Sequence, residues 1–184
     1  MLGLVGCQPP APPAFQSTDI TGAEFARDFN LTDHNGQARS LADFKGKVVA
    51  MFFGYTHCPD VCPTTLSDFS AALKLLGAQA EQVQVVFVTL DPQRDTPDLL
   101  KQFVPAFNPT FLGMYTDAEG LKRLAHEYKV VYQKTSVKSA DDYLIDHSAG
   151  TYIYDPQGRI RLLMPYGSRP ETIAHDLKIL LRTS

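Results

Sequence analysis

The feature that most constrains this chain is a pair of cysteines placed between an apolar run and an amphipathic segment. Cys58 and Cys62 lie four positions apart, and each is followed by proline. Residues 48–53 predict a buried strand, and the apolar spacing after Cys62 predicts a helix that ends near Gly77. In the first turn of a helix, positions four apart share a face with Cβ atoms about 5–6 Å apart. The two sulfurs can therefore form a disulfide, act as a redox dithiol or hold one soft metal ion.

The predicted start of this helix favours reactive thiols over inert ones. The positive end of the helix dipole lies beside both sulfurs and stabilises a thiolate. Asp60 and the two threonines at 64–65 offer acceptors for the free backbone amides at this end, and Pro63 suits a first helical turn. A structural disulfide or a pair of inert thiols fits poorly, because buried structural cysteines seldom occupy an electropositive helix start.

The loop between the cysteines is one residue longer than in thioredoxin-type redox sites. Three residues, 59–61, separate the cysteines, where such sites usually have two. The wider spacing leaves room for a metal ion without forbidding a disulfide. Two thiolates select Cu(I), whereas a structural Zn(II) site needs four ligands. A metal site here therefore needs a third ligand from elsewhere in the chain.

The composition describes one globular domain and excludes a nucleic-acid partner. With 184 residues, 44% of them hydrophobic, the chain can bury a core without metal or disulfide staples. The formal net charge is −3 and no basic stripe stands out, so the sequence lacks the electrostatic footprint of a nucleic-acid-binding surface. Three cysteines are too few for a disulfide framework, and Cys7 is the odd one.

The N-terminal residues resemble the end of a bacterial lipoprotein signal. Residues 4–7, LVGC, place Cys7 where such a signal is cleaved and the cysteine is acylated. We therefore divide the chain into a remnant signal (1–7), a proline-rich flexible tether (8–22) and a folded domain (23–184). This division predicts a domain that is lipid-anchored on the periplasmic side of a bacterial membrane.

Strand and helix patterns alternate along the domain. A hairpin is predicted over 29–41 with its tight turn at Asn35-Gly36, and His34 beside that turn is interpreted as a surface residue. Further strands are predicted at 48–53, 83–90, 111–115, 130–134, 143–145, 151–154 and 159–163, and helices after Cys62 and at 97–103, 118–128 and 170–181. The pattern predicts an α/β, thioredoxin-like fold: a central mixed β-sheet flanked by helices, with an N-terminal β-hairpin extension. A ligand site is expected at the carboxyl ends of the strands.

Among the five histidines, His147 is the best candidate for a third ligand. It precedes the strand at 151–154, in a loop expected at the same edge of the sheet as the cysteines. Asp146 beside it can bind the second ring nitrogen, as carboxylates near metal-bound imidazoles commonly do. His57 adjoins Cys58 but follows a strand end, where neighbouring side chains point apart. Spacing alone does not separate a ligand from a solvated loop histidine, and both interpretations of His147 stay open.

Three motifs together resemble the Sco/SenC copper-chaperone family. They are residues 54–63 (GYTHCPDVCP), 91–97 (DPQRDTP) and 146–148 (DHS), in that order, and the resemblance runs from 29 to 181. The resemblance implies a thioredoxin-like fold that binds one copper ion, as Cu(I) or Cu(II). Carried over by position, the copper ligands are Cys58, Cys62 and His147.

The resemblance also implies a cellular role and a set of partners. The role is assembly of the dinuclear copper site of cytochrome c oxidase on the outer side of the respiratory membrane. The implied partners are the copper-binding subunit of that oxidase, another periplasmic copper chaperone or a thiol reductase, and the membrane through the lipid anchor. Asp91 and Arg94 are interpreted as an ion pair that orders a loop near the metal, and Asp60 and Asp146 as residues that support the ligands.

Ala149 occupies the position where thioredoxin-like oxidoreductases carry a cis-proline, before the strand that faces the cysteines. That proline keeps a metal out, so its absence favours an open copper site. The competing function is a thiol–disulfide oxidoreductase that keeps the oxidase subunit's cysteines reduced, with Cys58 and Cys62 as the redox pair. A peroxidase is disfavoured, because it does not need two cysteines in one short loop and a distant histidine. The chaperone and oxidoreductase roles are compatible, and the sequence does not decide whether the protein is an enzyme.

Overall fold

The computed structural model describes residues 14–139 and 142–183. The remnant signal at 1–7, its Cys7 and the first part of the predicted tether lie outside these ranges. The strands are β1 (Thr18–Asp19), β2 (Asn30–Asp33), β3 (Ala38–Ser40), β4 (Val48–Gly54), β5 (Val83–Thr89), β6 (Leu112–Tyr115), β7 (Tyr132–Thr135), β8 (Leu144–His147), β9 (Thr151–Tyr154) and β10 (Ile160–Met164). The helices are α1 (Val61–Leu76), α2 (Pro97–Phe103), α3 (Ala118–Glu127) and α4 (Pro170–Arg182).

Eight strands form one mixed sheet in the order β1-β10-β9-β4-β5-β6-β2-β3. β4, β5 and β6 run parallel, whereas β9 pairs with β4 in the antiparallel direction. The carboxyl ends of β4 and β5 meet where Gly54 pairs with Thr89. β7 and β8 pair only with each other, as a separate two-stranded sheet. The predicted central mixed sheet of a thioredoxin-like fold is confirmed.

Helices cover both faces of the sheet, which explains why β4 is apolar at every position. Val48, Ala50 and Phe52 pack in the cluster that includes buried residues of α1 and α4. Val49 and Phe53, on the opposite face, pack with buried residues of α3. Because side chains alternate along a strand, an all-apolar run is buried only when both faces are covered. The strand that leads to the cysteines is therefore fixed from both sides.

The N-terminal hairpin forms as predicted but is joined to the main sheet. β2 pairs with β3 across the Asn35-Gly36 turn, and Gly36 has the positive φ of 81° that such a turn favours. β2 also pairs with β6, so the hairpin makes the edge of the sheet. The interpretation of His34 as a surface residue is wrong: it is 8% exposed, and its Nδ1 accepts a hydrogen bond of 3.0 Å from the Gly113 amide.

The end of the predicted 8–22 tether belongs to the fold instead. β1 pairs with β10, and Phe15 packs against the core. The backbone amides of Gln16 and Ser17 donate to the buried carboxylate of Asp176 over 2.9 and 2.8 Å. The described part of the chain has no helix that is both long and apolar enough to cross a membrane.

Candidate metal centre

The two cysteines lie where β4 passes into α1. β4 ends at Gly54, and a turn follows in which the Cys58 amide donates to the Tyr55 carbonyl over 3.2 Å. α1 then starts at Val61 and carries Cys62 in its first turn. A Cβ atom at Gly54 would lie 2.6 Å from the Cys62 sulfur, so only glycine lets this sulfur pack against the end of the strand. The sequence analysis did not identify Gly54 as part of the site.

The free amides at the start of α1 are satisfied differently from the prediction. The Asp60 side chain does not cap the helix; it accepts from the Thr64 hydroxyl over 3.3 Å, and the Thr65 hydroxyl donates to a backbone carbonyl. The predicted capping role of Asp60 is therefore wrong. The backbone at Asp60 and Cys62 instead lowers the pKa of the Cys58 thiol, so the start of α1 favours the thiolate form of that cysteine.

The two sulfurs are free thiols in unequal surroundings. Cys58 is half-buried, whereas Cys62 is only 1% exposed. The hydrogen bond from the Cys62 thiol lowers the pKa of Cys58 most, and the His147 ring and the backbone at the start of α1 lower it further against the effect of burial. The same hydrogen bond and burial raise the pKa of Cys62. The two thiols therefore titrate as a coupled pair, in which the pKa of Cys58 is lowered and that of Cys62 is raised.

His147 reaches the cysteines from the two-stranded sheet. It is the last residue of β8 and not part of a loop as predicted. Its Nε2 lies 4.0 Å from the Cys62 sulfur, and its ring packs edge-on against Tyr55 with centroids 6.3 Å apart. Its Nδ1 lies 3.0 Å from the Ser148 carbonyl oxygen, which can only accept, so Nδ1 carries a proton. The ring therefore turns its Nε2 towards the sulfur of Cys62.

The predicted contact of Asp146 with the second ring nitrogen is replaced by this backbone bond. Asp146 is exposed and pairs with Gln133 across the two-stranded sheet. Because neighbouring residues of a strand point to opposite faces, Asp146 and His147 cannot both face the cysteines. Asp146 therefore does not orient the His147 imidazole by binding its second ring nitrogen.

The donor set fits one soft metal ion. A metal ion with ligand distances of about 2.3 Å to sulfur and about 2.0 Å to nitrogen can join atoms up to about 4.3 Å apart, so a separation of 4.0 Å between Cys62 and His147 is within reach. Two thiolates and an imidazole suit Cu(I) and fall short of the four ligands of structural zinc. Within the described ranges, no three cysteine, histidine or acidic side chains are close enough to hold a metal ion as they stand. The three donors therefore need a small adjustment to share one ion.

A cleft of ≈ 310 Å³ opens onto these residues. Cys58, Val61 and Tyr55 line one side, and His147 and Ala149 line the other. No cis peptide bond occurs in the part of the chain that the structure describes. Ala149, at the position of the oxidoreductases' proline, lines this cleft together with Cys58. A larger groove of ≈ 610 Å³ at the opposite end of the sheet is lined by arginines and carries no thiol or imidazole.

Asp91 and Arg94 attach the two-stranded sheet to the loop after β5. They form an ion pair in which Asp91 is buried, and Asp91 also accepts from the Tyr143 hydroxyl over 2.7 Å. Arg94 donates to the Tyr143 carbonyl over 3.1 Å and stacks 3.5 Å from the centre of the Tyr143 ring. Tyr143 lies directly before β8, which carries His147. The geometry thus agrees with the loop-ordering role predicted for Asp91 and Arg94.

Asp95 is a further member of the site that the sequence analysis missed. It is 1% exposed and accepts from the Thr56 amide over 3.0 Å and from the hydroxyls of Thr56 and Thr89 over 2.6 Å each. These bonds attach the cysteine loop to β5. Burial raises the pKa of Asp95, while the three donors lower it in part. The available signal was its place in the 91–97 motif, directly after a buried strand.

Comparison with known proteins places these residues in a family. A model of the SCO1/SenC family matches residues 17–182. The human mitochondrial SCO2 homolog is 39% identical over 133 residues, which are 71% of this chain and 50% of that protein, so the chain spans half the length of this relative. The SCO2-like protein of Rickettsia felis is 34% identical over 152 residues, covering 82% of this chain and 74% of that protein.

Solved structures agree with the sequence relatives. The structure of Bradyrhizobium japonicum ScoI with copper bound has 40% sequence identity and a TM-score of 0.76, and covers 84% of this chain and 98% of that one. The family match at residues 17–182 includes the motifs at 54–63, 91–97 and 146–148. This chain belongs to the SCO1/SenC family.

Proposed function

We propose that this protein is a copper metallochaperone that binds one copper ion through Cys58, Cys62 and His147. It would deliver this ion to the dinuclear copper site of cytochrome c oxidase. The observation that carries the proposal is the convergence of a half-buried and a buried cysteine with an imidazole nitrogen, 4.0 Å from the Cys62 sulfur, beside an open cleft lined by Cys58 and His147. Family membership and the copper bound by B. japonicum ScoI support it.

The thiols and the imidazole are prepared for a cation in different ways. The Cys62 thiol, the His147 ring and the backbone at the start of α1 lower the pKa of Cys58, which favours its thiolate form. Cys62 keeps its proton until a cation offsets the cost of a second buried negative charge, and binding therefore releases that proton. The bond from Nδ1 to the Ser148 carbonyl fixes the His147 ring. Copper binding should thus release about one proton from the thiol pair.

A copper titration tests the ligand set. Reduced protein is titrated with Cu(I) held by a chromogenic chelator, and separately with Cu(II), for the native chain, Cys58→Ser/Cys62→Ser and His147→Ala. The native protein should bind one ion and the double serine variant none. His147→Ala should lower Cu(II) affinity by more than about 100-fold, because losing even a partner of a ligand costs 10–100-fold.

His126→Ala is the matched control, since His126 is an exposed imidazole on α3. It should bind copper as the native protein does. A one-to-one complex that survives the loss of both cysteines would overturn the proposal.

The second candidate function is a thiol–disulfide oxidoreductase, favoured by the half-exposed thiolate of Cys58 next to the buried thiol of Cys62. Cys58 would attack a partner disulfide, forming a mixed disulfide and releasing one partner thiolate. Cys62 would then lose its proton and attack the Cys58 sulfur, so that the partner leaves as a dithiol and this protein is oxidised by two electrons. His147→Ala should leave this exchange largely intact while copper affinity falls.

The proposed location and partners rest on the sequence. Acylation at Cys7 would anchor the domain on the periplasmic side of a bacterial membrane, near a membrane-bound oxidase subunit and a periplasmic copper chaperone or thiol reductase. Expression of the full chain with its native leader tests this. The native protein should fractionate with membranes and carry lipid at Cys7 by mass spectrometry, and Cys7→Ser should be found in the soluble fraction. A soluble native protein without lipid would overturn the anchor and leave the copper site untouched.

A further inference from the structure

We propose that Tyr55 is a positioning residue that holds His147 beside the two sulfurs and so sets how tightly the site binds Cu(II) relative to Cu(I). This inference rests on the proposed copper-binding function and goes beyond its three donors, because Tyr55 is not one of them. The backbone of Tyr55 belongs to the thiol loop, whereas its side chain packs on the two-stranded sheet of β7 and β8. One residue therefore joins the two halves of the site.

The backbone of Tyr55 is fixed to the end of the core strand. Tyr55 directly follows Gly54, the last residue of β4, and β4 is buried at every position. The Tyr55 carbonyl accepts a hydrogen bond of 3.2 Å from the Cys58 amide. A displacement of this backbone would therefore move the first cysteine as well. Tyr55 is thus placed as firmly as the thiol loop itself.

The ring of Tyr55 lies against one face of β8. Tyr143, Ile145 and His147 are alternate residues, so their side chains point to the same side of the chain. Tyr143 and Ile145 form a buried cluster with Tyr55, and the His147 ring packs edge-on against the Tyr55 ring with centroids 6.3 Å apart. Tyr55 is 2% exposed, so these contacts enclose its ring. One aromatic ring therefore sets where the strand that carries the third donor lies.

Tyr55 and the ion pair of Asp91 and Arg94 act at different ends of β8. The ion pair contacts Tyr143, before the strand begins, whereas Tyr55 also reaches His147, where the strand ends. Four residues separate the two points, which is about 13 Å along a strand. The ion pair therefore fixes where the hairpin is attached, and Tyr55 fixes where its donor residue arrives.

The position of His147 matters more for Cu(II) than for Cu(I). Two thiolates are soft ligands that select Cu(I), whereas Cu(II) prefers tetragonal sites with nitrogen and oxygen ligands. The imidazole is therefore the donor of this set that suits Cu(II) best. Its Nε2 lies 4.0 Å from the Cys62 sulfur, close to the separation of about 4.3 Å that one ion can join. A small further displacement of His147 would take the imidazole out of reach, so loss of the Tyr55 ring should weaken Cu(II) binding more than Cu(I) binding.

The ratio of the two copper affinities tests this role. Cu(I) affinity is measured with a chromogenic chelator under anaerobic reducing conditions, and Cu(II) affinity by competition, with the sulfur-to-copper absorption band as a spectroscopic signature. Tyr55→Leu should lower the ratio of Cu(II) to Cu(I) affinity by at least about tenfold, the size of effect seen when a residue that supports a ligand is lost. It should also weaken or shift the absorption band. Tyr55→Phe keeps the ring and should restore most of both.

Phe53→Leu is the matched control. It removes a ring that is also 2% exposed, two residues earlier on the chain, in the core cluster and away from His147. This variant should lose stability but keep the native affinity ratio and absorption band. An unchanged ratio in Tyr55→Leu, or an equal fall in Phe53→Leu, would overturn the inference.

A double-mutant cycle shows whether Tyr55 acts through the imidazole. In the His147→Ala background, Tyr55→Leu should cause no further loss of Cu(II) affinity, because the group it positions is already absent. Additive losses would overturn the inference. Ile145→Ala loosens the same contact from the hairpin side, outside the main sheet, and should lower the ratio even where Tyr55→Leu does not fold. Val131→Ala, 74% exposed beside β7, should not, and equal ratios in these two variants would contradict the inference.

The native protein separates this inference from the function on which it rests. A native protein that binds neither Cu(I) nor Cu(II) would overturn the proposed function, and the inference with it. Native copper binding with a normal affinity ratio in Tyr55→Leu would overturn the inference alone.

Discussion

The two sulfurs and the imidazole of the candidate site come from regions of very different construction. The sulfurs follow β4, which pairs with a strand on each side and is buried at all seven positions. His147 ends β8, whose one strand partner is β7 and whose residues alternate between exposed and covered. The position of the thiol pair is therefore fixed by the core of the domain, whereas the position of the third donor, His147, is fixed by the attached hairpin of β7 and β8.

A small number of contacts decide where that hairpin lies. Tyr143 and Ile145 pack with Tyr55 in a cluster separate from the two main ones. Asp91 and Arg94 bind Tyr143 through its hydroxyl, its carbonyl and its ring. Because the three donors need a small adjustment to share one ion, the weakly attached side is the one expected to move. The site should close by displacement of the hairpin against a fixed thiol pair.

The largest expected effect is that of Arg94→Ala on the hairpin. The change leaves the buried carboxylate of Asp91 without its cation, and breaking a buried pair costs about 3 kcal/mol or more. It also removes the group that stacks on Tyr143. Because the hairpin lies outside the main sheet, we expect amides of β7 and β8 to lose hydrogen-exchange protection while those of β4 and β5 keep theirs.

Arg123→Ala serves as the control, since Arg123 is exposed on α3. Its exchange pattern should match that of the native protein. Equal loss of protection in both sheets after Arg94→Ala would show that the hairpin and the core unfold as one unit, which would remove the distinction between the two regions.

Gly54→Ala tests the other side of the comparison. The added methyl group would lie 2.6 Å from the Cys62 sulfur and 2.8 Å from the Phe87 ring, within a core that cannot move as a hairpin can. We expect a loss of about 1–3 kcal/mol in the free energy of global unfolding, measured with urea. Exchange protection in β7 and β8 should fall no further than this global loss requires.

A double-mutant cycle isolates the contact with the sulfur. Cys62→Ala removes the sulfur atom, so Gly54→Ala should cost less in that background than in the native chain, by about 1 kcal/mol. Strict additivity of the two changes would mean that the Phe87 ring, and not the sulfur, sets the cost.

The sequence predicted the core side of this comparison better than the hairpin side, for a physical reason. Apolar runs and helix periodicity are local patterns, so β4, β5 and α1 were predicted. The contact between Cys62 and His147 joins residues 85 positions apart. No local pattern reports such a contact: the expected place of His147 at the sheet edge made it a candidate, and the family resemblance assigned it as a ligand.

The errors have the same origin. Gln16 and Ser17 were predicted as tether because the Asp176 carboxylate that binds their amides lies 160 and 159 positions away along the chain. His34 was placed at the surface because its acceptor role towards Gly113 spans 79 positions. Asp60 was predicted as a cap because its position and residue type are right for one, yet its side chain accepts from the Thr64 hydroxyl instead. In each case a contact that residue type does not report replaced the local one that it suggests.

Tyr143→Phe gives the smallest effect and resolves one bond of the hairpin's attachment. Burial, followed by the hydrogen bond to Asp91, raises the pKa of Tyr143 to about 12. An exposed tyrosine titrates near pH 10, so the stability this bond contributes is complete below about pH 10 and is lost as the pH rises towards 12. We expect the variant to be less stable by about 1 kcal/mol at pH 8, and the stability difference from the native protein to narrow between pH 10 and 12.

Urea unfolding followed by circular dichroism measures both the difference at pH 8 and its change with pH. Tyr166→Phe, at an exposed tyrosine, controls for loss of a hydroxyl. The other buried tyrosines titrate alike in all three proteins, so their effect cancels in the difference. A gap that stays constant from pH 8 to 12 would mean that the Tyr143 hydroxyl does not hold the hairpin to Asp91, leaving that attachment to Arg94 and the aromatic cluster.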